Sequence, residues 1–253
     1  MAIVKALYSY PVKGLSGHPW QSVDLDQGGT MPWDRAFAIE NGPSGFDQAE
    51  PNHISKSRFI VLMRFAQLAA LTTHFDPKEC SLHITRGDEQ LIKASLISDD
   101  GKKQIEALFE SYLQGELRGP AKVLSAPGHS FSDLRSKRLH VLNRASLADA
   151  EKVIGRALPE ELFRANVILE GLEPWEEHTW EGKTLTTANG LKLQFHKRTQ
   201  RCNAVNVNLT RAKFEGNLLQ DLNEHFGHMD MGVYFEVTAP GPLAVEEKLA
   251  LAP

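Results

Sequence analysis

Short segments in which apolar and polar residues alternate recur along the whole chain. In the first half they are IVKALYSY, QSVDLD and RAFAIE, separated by clusters of glycine and proline. A period of two is typical of strands that bury one face. LAALTTHF and CSLHIT flank the turn signal DPKE and are predicted to form a hairpin. In the second half the predicted strands and hairpins are RLHVLN, ANVILEG, KTLTTANGLKLQFHK, CNAVNVNL and GVYFEVTAPGPLAVEEKL.

Three other segments have the period of an α-helix. GKKQIEALFESYLQG is predicted to begin at Asp100 as its N-cap and to end at Gly115. ASLADAEKVIG is predicted as a second helix, capped by Ser146 or Asn143, and NLLQDLNEHFG as a short third one. Many short strands with few helices favour a β-rich α+β fold with barrel-like domains over a doubly wound sheet. The simplest nucleotide-binding hypotheses are removed, because the sequence has neither G-x-G-x-x-G nor a P-loop.

The stretch RGPAKVLSAPGHS interrupts this pattern near the middle of the chain. It is rich in glycine and proline and lacks helical periodicity, as linkers between domains often do. We therefore expect two parts, residues 1–120 and 121–253.

Composition narrows the class of protein. The chain has 253 residues and a formal net charge of −4, which gives no general reason to expect a nucleic acid or an anionic membrane as partner. Its two cysteines are too few for a disulfide framework and indicate a reducing compartment. The N-terminus is not typical of a signal peptide, and the longest apolar stretch, FIVLMRFAQLAALTTHF, is too short to span a bilayer. A cytoplasmic location is expected.

One of the two cysteines lies directly behind a cluster of cations. Lys197, Arg198 and Arg201 all fall within five positions of Cys202. Positive charge favours the thiolate, the form that binds metal or attacks an electrophile. The alternative is a buried cysteine on a strand whose basic neighbours point to water, and by the local pattern alone this alternative is favoured.

Further cations stand where loops meet strands. Lys13 follows Pro11 in YPVKGLSG, Arg35 opens the strand RAFAIE behind Asp34, and FRANVILEG places Arg164 and Asn166 at the entrance of an apolar segment. Such residues can bind a phosphate, yet each also fits a plain turn or a local ion pair. Their recurrence at loop–strand junctions indicates that they converge on one anionic ligand.

Other chemistry has weaker support. His225 and His228 in HFGH are spaced like metal ligands, but nothing nearby in the sequence completes a zinc set. Cys80 is expected to be packed and inert. A Cys–His hydrolase stays open in principle, although no nucleophile-elbow motif supports it.

Taken in order, these segments resemble the MOSC superfamily, named for the C-terminal domain of molybdenum-cofactor sulfurases. The resemblance is to its two-part members with a MOSC N-terminal β-barrel domain, such as the mitochondrial amidoxime-reducing component. It is carried by YPVKGLSG, DRAFAIE, FSDLRSKRLHVLNRASLADAEKVIG, FRANVILEGLEPWEEHTW, the Arg-Cys pair and GVYFEVTAPGPLAVEEKL, and it covers nearly the whole chain. It implies an N-terminal β-barrel-like domain, a C-terminal MOSC β-barrel and a few peripheral helices.

The resemblance also implies a cofactor, molybdenum held by the dithiolene of a pyranopterin that carries a phosphate. Cys202 stands where the family's cysteine ligates the metal, and thiolate is a soft ligand suited to it. Residues implied to hold the pterin or its phosphate, or to lie near them, are Lys13, Arg35, Asp133, Arg164, Asn166 and Arg201. No pyridoxal phosphate is expected, and no iron–sulfur cluster, since its thiolate ligands are lacking.

Some positions depart from the family pattern. Val205 replaces a threonine and Asn208 an aspartate next to the expected metal ligand, Gly14 stands where a polar residue is common, and Ala165 replaces a proline. These departures leave cofactor binding in place but separate this chain from the amidoxime-type substrate. No role is assigned to His53, Ser55 or Lys56.

Three functional hypotheses follow. The first is an oxidoreductase that reduces a small N-oxygenated molecule, with electrons from a separate ferredoxin, flavoprotein or cytochrome. The second is a sulfur carrier or cofactor chaperone, in which Cys202 carries a persulfide from a sulfur donor. The third is a degenerate, non-catalytic module that binds another anionic ligand.

Overall fold

A closed seven-stranded barrel dominates the second half of the chain, and the chain's first strand is part of it. The computed structural model describes residues 1–252. The strands are β1 (Ala2–Ser9), β2 (His18–Trp20), β3 (Ser22–Leu25), β4 (Phe37–Ile39), β5 (Thr72–Asp76), β6 (Ser81–Arg86), β7 (Glu89–Ser95), β8 (Val123–Ser125), β9 (Leu139–Asn143), β10 (Val167–Glu170), β11 (Thr184–Thr186), β12 (Lys192–Gln200), β13 (Val207–Asn208), β14 (Lys213–Phe214), β15 (Asp230–Ala239), β16 (Gly241–Ala244) and β17 (Lys248–Ala252). The α-helices are α1 (Asp99–Tyr112), α2 (Arg144–Ile154) and α3 (Leu218–Phe226), and short 3-10 helices span Lys56–Arg58, Ala66–Ala70, Glu160–Phe163, Glu176–Thr179 and Asn203–Asn206.

The barrel strands follow the order β10–β9–β15–β12–β11–β17–β1, and antiparallel pairing of β1 with β10 closes the ring. Only β9 and β10 pair in parallel within this ring, and α2 and the 3-10 helix Glu160–Phe163 lie in the connection between them. Alternation along the strands sends one set of side chains inward. Val4, Val167, Val233 and Phe235 are each fully buried in this interior, and Trp180 packs among them. The predicted fold class, a β-rich α+β protein of barrel architecture with few peripheral helices, is confirmed.

The first half builds a separate apolar core from smaller sheets. β4 pairs with β8, and β5, β6 and β7 form an antiparallel sheet. The predicted hairpin around DPKE is confirmed as β5–β6. Helix α1 covers this core with Ile105 and Phe109, which are fully buried. Cys80 lies in the same core, as expected of a packed cysteine.

The three predicted helices are confirmed, but not all of their caps. Ser98, not Asp100, is the N-cap of α1, because its side chain accepts a hydrogen bond from the N–H of Gly101. That helix ends at Tyr112, before Gly115. Asn143 caps α2 and accepts from Ala145 N at 3.0 Å, whereas Ser146 lies inside the helix.

Two predicted strand segments fold differently. CNAVNVNL forms the 3-10 helix Asn203–Asn206 followed by the two-residue strand β13, so the prediction of a strand there is wrong for its first half. GVYFEVTAPGPLAVEEKL was predicted as a closing hairpin, but β16 leaves β15 and pairs with β3. Strand propensity identified the elements, whereas their partners depend on tertiary packing.

Strand pairing joins the two predicted parts of the chain. β1 pairs with β10 and β17, and β3 pairs with β16, so residues 2–25 add strands to those of the second half. β8, from just beyond residue 120, pairs with β4 of the first half. The boundary after residue 120 stays a prediction.

Candidate functional site

The seven site residues predicted from the sequence meet in one cavity between the two halves of the chain. It lies where β1 ends and β10 begins, and the Tyr8 N–H donates to the Asn166 carbonyl at this point over 2.8 Å. The predicted residues that line it are Lys13, Arg35, Asp133, Arg164, Asn166, Arg201 and Cys202. They come from five segments that are far apart in sequence, so only the fold brings them together.

Asp133 bridges two lysines on one wall of the cavity. Lys13 is 6% exposed, and its Nζ donates to Asp133 Oδ1 at 2.5 Å and to the Phe131 carbonyl at 2.8 Å. Lys56 Nζ lies 2.9 Å from Asp133 Oδ2. Burial alone would raise the pKa of Asp133, but Lys13 and Lys56 together hold it well below its usual range. Asp133 is therefore a carboxylate that neutralises part of the positive charge of this wall.

Arg35 is held by its neighbour in the sequence. Its Nη1 donates to both carboxylate oxygens of Asp34, at 2.6 and 2.7 Å, and its Nη2 to the Arg164 carbonyl at 3.2 Å. Asp34 also accepts from Asn166 Nδ2 at 3.0 Å. The local ion pair considered from the sequence is thus present, and the arginine still lines the cavity.

Asn166 lines the cavity, but its amide is hydrogen-bonded within the protein. Its Nδ2 donates to the Tyr8 carbonyl and to Asp34, and its Oδ1 accepts from the His140 N–H at 3.0 Å. Asn166 is 1% exposed, so its side chain fixes the position of its neighbours rather than reaching into open space.

Two of the arginines have an unusual backbone. Arg35 and Arg164 have φ angles of 52° and 53°, in the left-handed region that non-glycine residues seldom adopt. Such residues are costly and concentrate at sites where the position of a side chain matters. Arg35 lies two residues before β4 and Arg164 three residues before β10, which agrees with the predicted loop–strand junctions.

Arg201 and Cys202 follow the end of β12. The Arg201 N–H donates to the Met229 carbonyl, its Nη2 to the Phe163 carbonyl at 2.8 Å, and its Nη1 lies 3.4 Å from His140 Nε2. Burial, and then the charge of Arg201, lower the pKa of His140 well below its usual value, so this imidazole is neutral. Cys202 is a free, half-buried cysteine at the N-terminus of the 3-10 helix Asn203–Asn206.

The cations that flank Cys202 in sequence are not those that flank it in space. Lys197 is exposed on β12, and Arg198 pairs with Asp230 at 2.7 Å; neither lines the cavity. The lysine that lies near Cys202 in space is Lys56. Burial would lower the pKa of Lys56, but Asp133 and then Cys202 raise it. The alternative, a buried cysteine on a strand with basic neighbours in water, is correct only for exposed Lys197: Arg198 pairs with Asp230, and Cys202 is half-buried and follows the end of β12.

Three arginines of the cavity keep a buried donor without a hydrogen-bond partner in residues 1–252. These atoms are Nε of Arg138, Nη2 of Arg164 and Nε of Arg201. Buried donors in proteins are nearly always paired, and each unpaired group costs about 1–3 kcal/mol. The arrangement therefore fits a ligand that supplies several acceptor oxygens.

The cavity is also far more basic than the chain around it. Its lining contains six cationic side chains, from Lys13, Arg35, Lys56, Arg138, Arg164 and Arg201, and two carboxylates, from Asp34 and Asp133. The whole chain has a net charge of −4. Charge of one sign in a concave site concentrates counter-ions there, so an anionic ligand is attracted to this cavity.

Sequence reasoning missed several lining residues. Lys56, Arg138, His140 and Tyr234 line the cavity without having been assigned. Lys56 stands in the stretch SGFDQAEPNHISKSRF, from which no role could be assigned to it. Nothing in the sequence indicated His140 or Tyr234 as lining residues. Each lies within a predicted strand, and alternation alone does not show which side of that strand faces the cavity.

The departures from the family pattern lie mostly outside the cavity. Val205 packs in the apolar cluster beneath α2 and α3. Asn208 accepts from the N–H groups of Thr210 and Arg211 in a turn. Gly14 does line the cavity, with φ at +90° and an added Cβ only 2.5 Å from the Ile60 carbonyl oxygen, so a side chain there would collide with the backbone.

In the part of the chain described here, His225 and His228 do not belong to a set of side chains that could bind a metal ion. His225 lies in the last turn of α3, and the His228 ring packs against Trp175 and His178. Residues 1–252 contain no group of three or more histidine, cysteine or carboxylate side chains placed to hold a metal ion. Within the same residues, every helix is too short or too polar to cross a membrane.

Known proteins resemble the chain over both halves. The family model described as "MOSC domain" matches residues 126–250, and that described as "MOSC N-terminal beta barrel domain" matches residues 1–122. No curated protein matches the chain. Among solved structures, the YUAD protein from Bacillus subtilis is 12% identical over 99% of this chain and 96% of its own, with a TM-score of 0.46. YiiM from Geobacillus stearothermophilus is 19% identical over 46% of this chain and 54% of its own, with a TM-score of 0.36; both scores are low, so these structures add nothing to the description of the fold.

Proposed function

This chain belongs to the MOSC family, with a MOSC N-terminal β-barrel domain ahead of its MOSC domain, and on that premise we propose that it is a molybdenum-cofactor oxidoreductase. The family is associated with binding of the molybdenum cofactor and with sulfur transfer. The proposed substrates are small N-oxygenated molecules. The observation that carries the proposal is the set of three unpaired, buried arginine donors in the cavity that also contains Cys202.

The residues present fit a phosphate-bearing pterin. Phosphate oxygens would pair with the free donors of Arg138, Arg164 and Arg201, and the excess of four positive charges in the lining would balance its charge. Lys13 and Arg35 line the same cavity, but they already donate to Asp133 and Asp34. They would therefore contribute positive charge rather than free hydrogen-bond donors. Asn166 would act through Asp34, which it holds in place.

Cys202 is the proposed metal ligand. Cys202 is half-buried and lines the cation-rich cavity, and thiolate is a soft donor that suits a sulfur-rich molybdenum centre. Bound there, the cofactor would supply the metal at which the substrate loses its oxygen. Neutral His140 helps to fix the Arg201 guanidinium next to Cys202.

A reduction of this kind needs an electron source. Removing the oxygen of an N–OH group consumes two electrons and two protons and releases water. The two cysteines of the chain lie apart, Cys80 in the buried core of the first half and Cys202 in the cavity, so they do not form the ligand set of an iron–sulfur cluster. We therefore propose a separate electron-transfer protein as partner, a ferredoxin, a flavoprotein or a cytochrome.

Metal and pterin analysis tests this proposal. The chain purified from a molybdenum-replete host is expected to contain molybdenum and pterin in equal amounts. Cys202→Ser is expected to keep the pterin and the molybdenum that its dithiolene holds, but with one sulfur ligand fewer on the metal, because the phosphate contacts remain while the thiolate is gone. Cys80→Ala, which alters the buried cysteine of the other core, is the matched control and is expected to keep the wild-type number of sulfur ligands on the metal.

Two results would contradict it. One is a wild-type chain without molybdenum and pterin, which would favour a module that binds another anion. The other is a Cys202→Ser variant whose molybdenum keeps the wild-type number of sulfur ligands.

Sulfur delivery is the second candidate function. It is favoured by the partial exposure of Cys202, which leaves the thiol open to a donor protein, and by the family's association with sulfur transfer. In this case Cys202 would carry a persulfide received from a separate sulfur donor. Mass spectrometry of the Cys202 peptide separates the two functions: an added sulfur that a reductant removes supports delivery, and stoichiometric metal supports reduction.

A further inference from the structure

The ring of Tyr10 lies under both arginines that have a left-handed backbone. The guanidinium carbons of Arg35 and Arg164 stand 4.5 and 4.3 Å from its centroid. Tyr10 itself is 4% exposed. A cation over an aromatic face is attracted by the ring, and more strongly where water is excluded. One buried ring therefore attracts two like charges that would otherwise repel each other.

Tyr10 is tied to the backbone of both arginine segments. Its N–H donates to Asp34 Oδ1 at 2.9 Å, its carbonyl accepts from the Arg35 N–H at 2.8 Å, and its hydroxyl donates to the Ala165 carbonyl at 3.3 Å. Burial raises the pKa of Tyr10 to about 12, so the phenol keeps the proton that it donates. Gly17 leaves room for the ring, since a Cβ there would lie 3.0 Å from Tyr10 Cε1.

The two guanidinium groups differ in whether they keep an unpaired hydrogen-bond donor. Nη1 of Arg35 is shared with Asp34, while Arg164 donates Nη1 to the Leu15 carbonyl at 2.7 Å and keeps its buried Nη2 unpaired among the described residues. Burial, and then Arg35, lower the pKa of Arg164 to about 10, which still leaves it charged at neutral pH. Holding this charge in place without a ligand is costly, and Tyr10 offsets part of that cost.

We propose that Tyr10 is a positioning residue, which holds the Arg35 and Arg164 side chains in place so that the Arg164 guanidinium, with its unpaired Nη2, is already fixed at the cavity before an oxyanion arrives. The ligand class, a phosphate-type oxyanion, follows from the unpaired donors and the cation excess. That this oxyanion belongs to a pterin rests on the proposed function. Preorganised donors bind more tightly because little ordering remains to be done on binding.

Anion binding by ring variants tests the proposal. Inorganic pyrophosphate is titrated by calorimetry into the full chain made in a host that lacks the pterin. Tyr10→Leu is expected to bind about tenfold more weakly than wild type, because the ring contact to each arginine is lost. Tyr10→Phe, which keeps the ring, is expected to stay within about threefold of wild type. Tyr8→Leu, the same change two residues earlier on half-buried Tyr8, is the matched control and is expected to bind like wild type.

A nuclear magnetic resonance signature separates positioning from mere stability. Side-chain N–H protons above an aromatic ring are shielded by its ring current. The Nε–H signals of Arg35 and Arg164 are expected upfield in wild type and in Tyr10→Phe, and at ordinary positions in Tyr10→Leu. This measurement on wild type alone suffices if the leucine variant does not fold.

The proposal is overturned if wild type does not bind pyrophosphate, if Tyr10→Leu binds as tightly as Tyr8→Leu, or if the two wild-type signals show no shielding. Failure of the proposed function would look different. In that case the chain would lack molybdenum and pterin while the affinity difference between Tyr10→Leu and Tyr8→Leu persisted.

Discussion

At the scale of single residues, Asp133 decides how much of the positive charge of the cavity is free. Its two oxygens accept from Lys13 and Lys56, the same groups that would otherwise contact an anionic ligand. Lys13 is nearly buried, so without Asp133 its ammonium would keep only the Phe131 carbonyl as partner. A buried charge that loses its counter-ion is destabilising.

Replacing Asp133 tests this role through the pH dependence of stability. The pKa of Asp133 is depressed in the folded protein, so its contribution is present above the unfolded value of about 4 and is lost as the pH falls through the folded value. Asp133→Asn is expected to lower the free energy of unfolding by about 1–3 kcal/mol at pH 7. This deficit should shrink as the pH falls below about 4. Urea denaturation at a series of pH values measures it.

The exposed Asp24, which lies away from the cavity, supplies the matched control. Asp24→Asn is expected to leave stability unchanged within about 0.5 kcal/mol at pH 7. A deficit for Asp133→Asn that stayed constant down to pH 2 would show that the Lys13–Asp133–Lys56 bridge is not the cause.

At the scale of elements, β1 connects the fold to the site. It closes the barrel by pairing with β10 and β17, and the segment after it leads to Lys13 and Gly14, which line the cavity. β3 adds a second link by pairing with β16. The second half therefore lacks its barrel-closing strand when residues 1–25 are removed.

This dependence predicts how a fragment behaves. Residues 121–253 alone are expected to show no cooperative thermal transition, because the edges of β10 and β17 stay unpaired and the interior loses Val4 and Leu7. Adding a synthetic peptide of residues 1–25 is expected to restore a cooperative transition by circular dichroism. A fragment that unfolds cooperatively without the peptide would favour an independent domain at the predicted boundary.

The elements themselves could be predicted better than their partners. Apolar and alternating segments identified β1, β9 and β10, and helical periodicity identified α2 and α3, because these signals are local. The crossing of β16 to β3 and the 3-10 helix after Cys202 could not be foreseen, since both depend on packing between distant segments.

At the scale of the whole molecule, an acidic chain surrounds a basic cavity. The net charge of −4 describes the whole chain and could not reveal the local excess of cations in the cavity. The site residues predicted by family resemblance all line that cavity, whereas Lys197 and Arg198, inferred from proximity in sequence, do not. Motif order thus identified the lining better than local charge, because the lining is assembled from five distant segments.

The central claim is that the Cys202 sulfur binds a molybdenum atom in this cavity. X-ray absorption at the molybdenum edge tests it most directly, by counting the sulfur ligands of the metal in wild type and in a Cys202→Ser variant. The account predicts one sulfur fewer in any metal that the variant retains, and no change in Cys80→Ala. Equal sulfur counts in wild type and Cys202→Ser would contradict it.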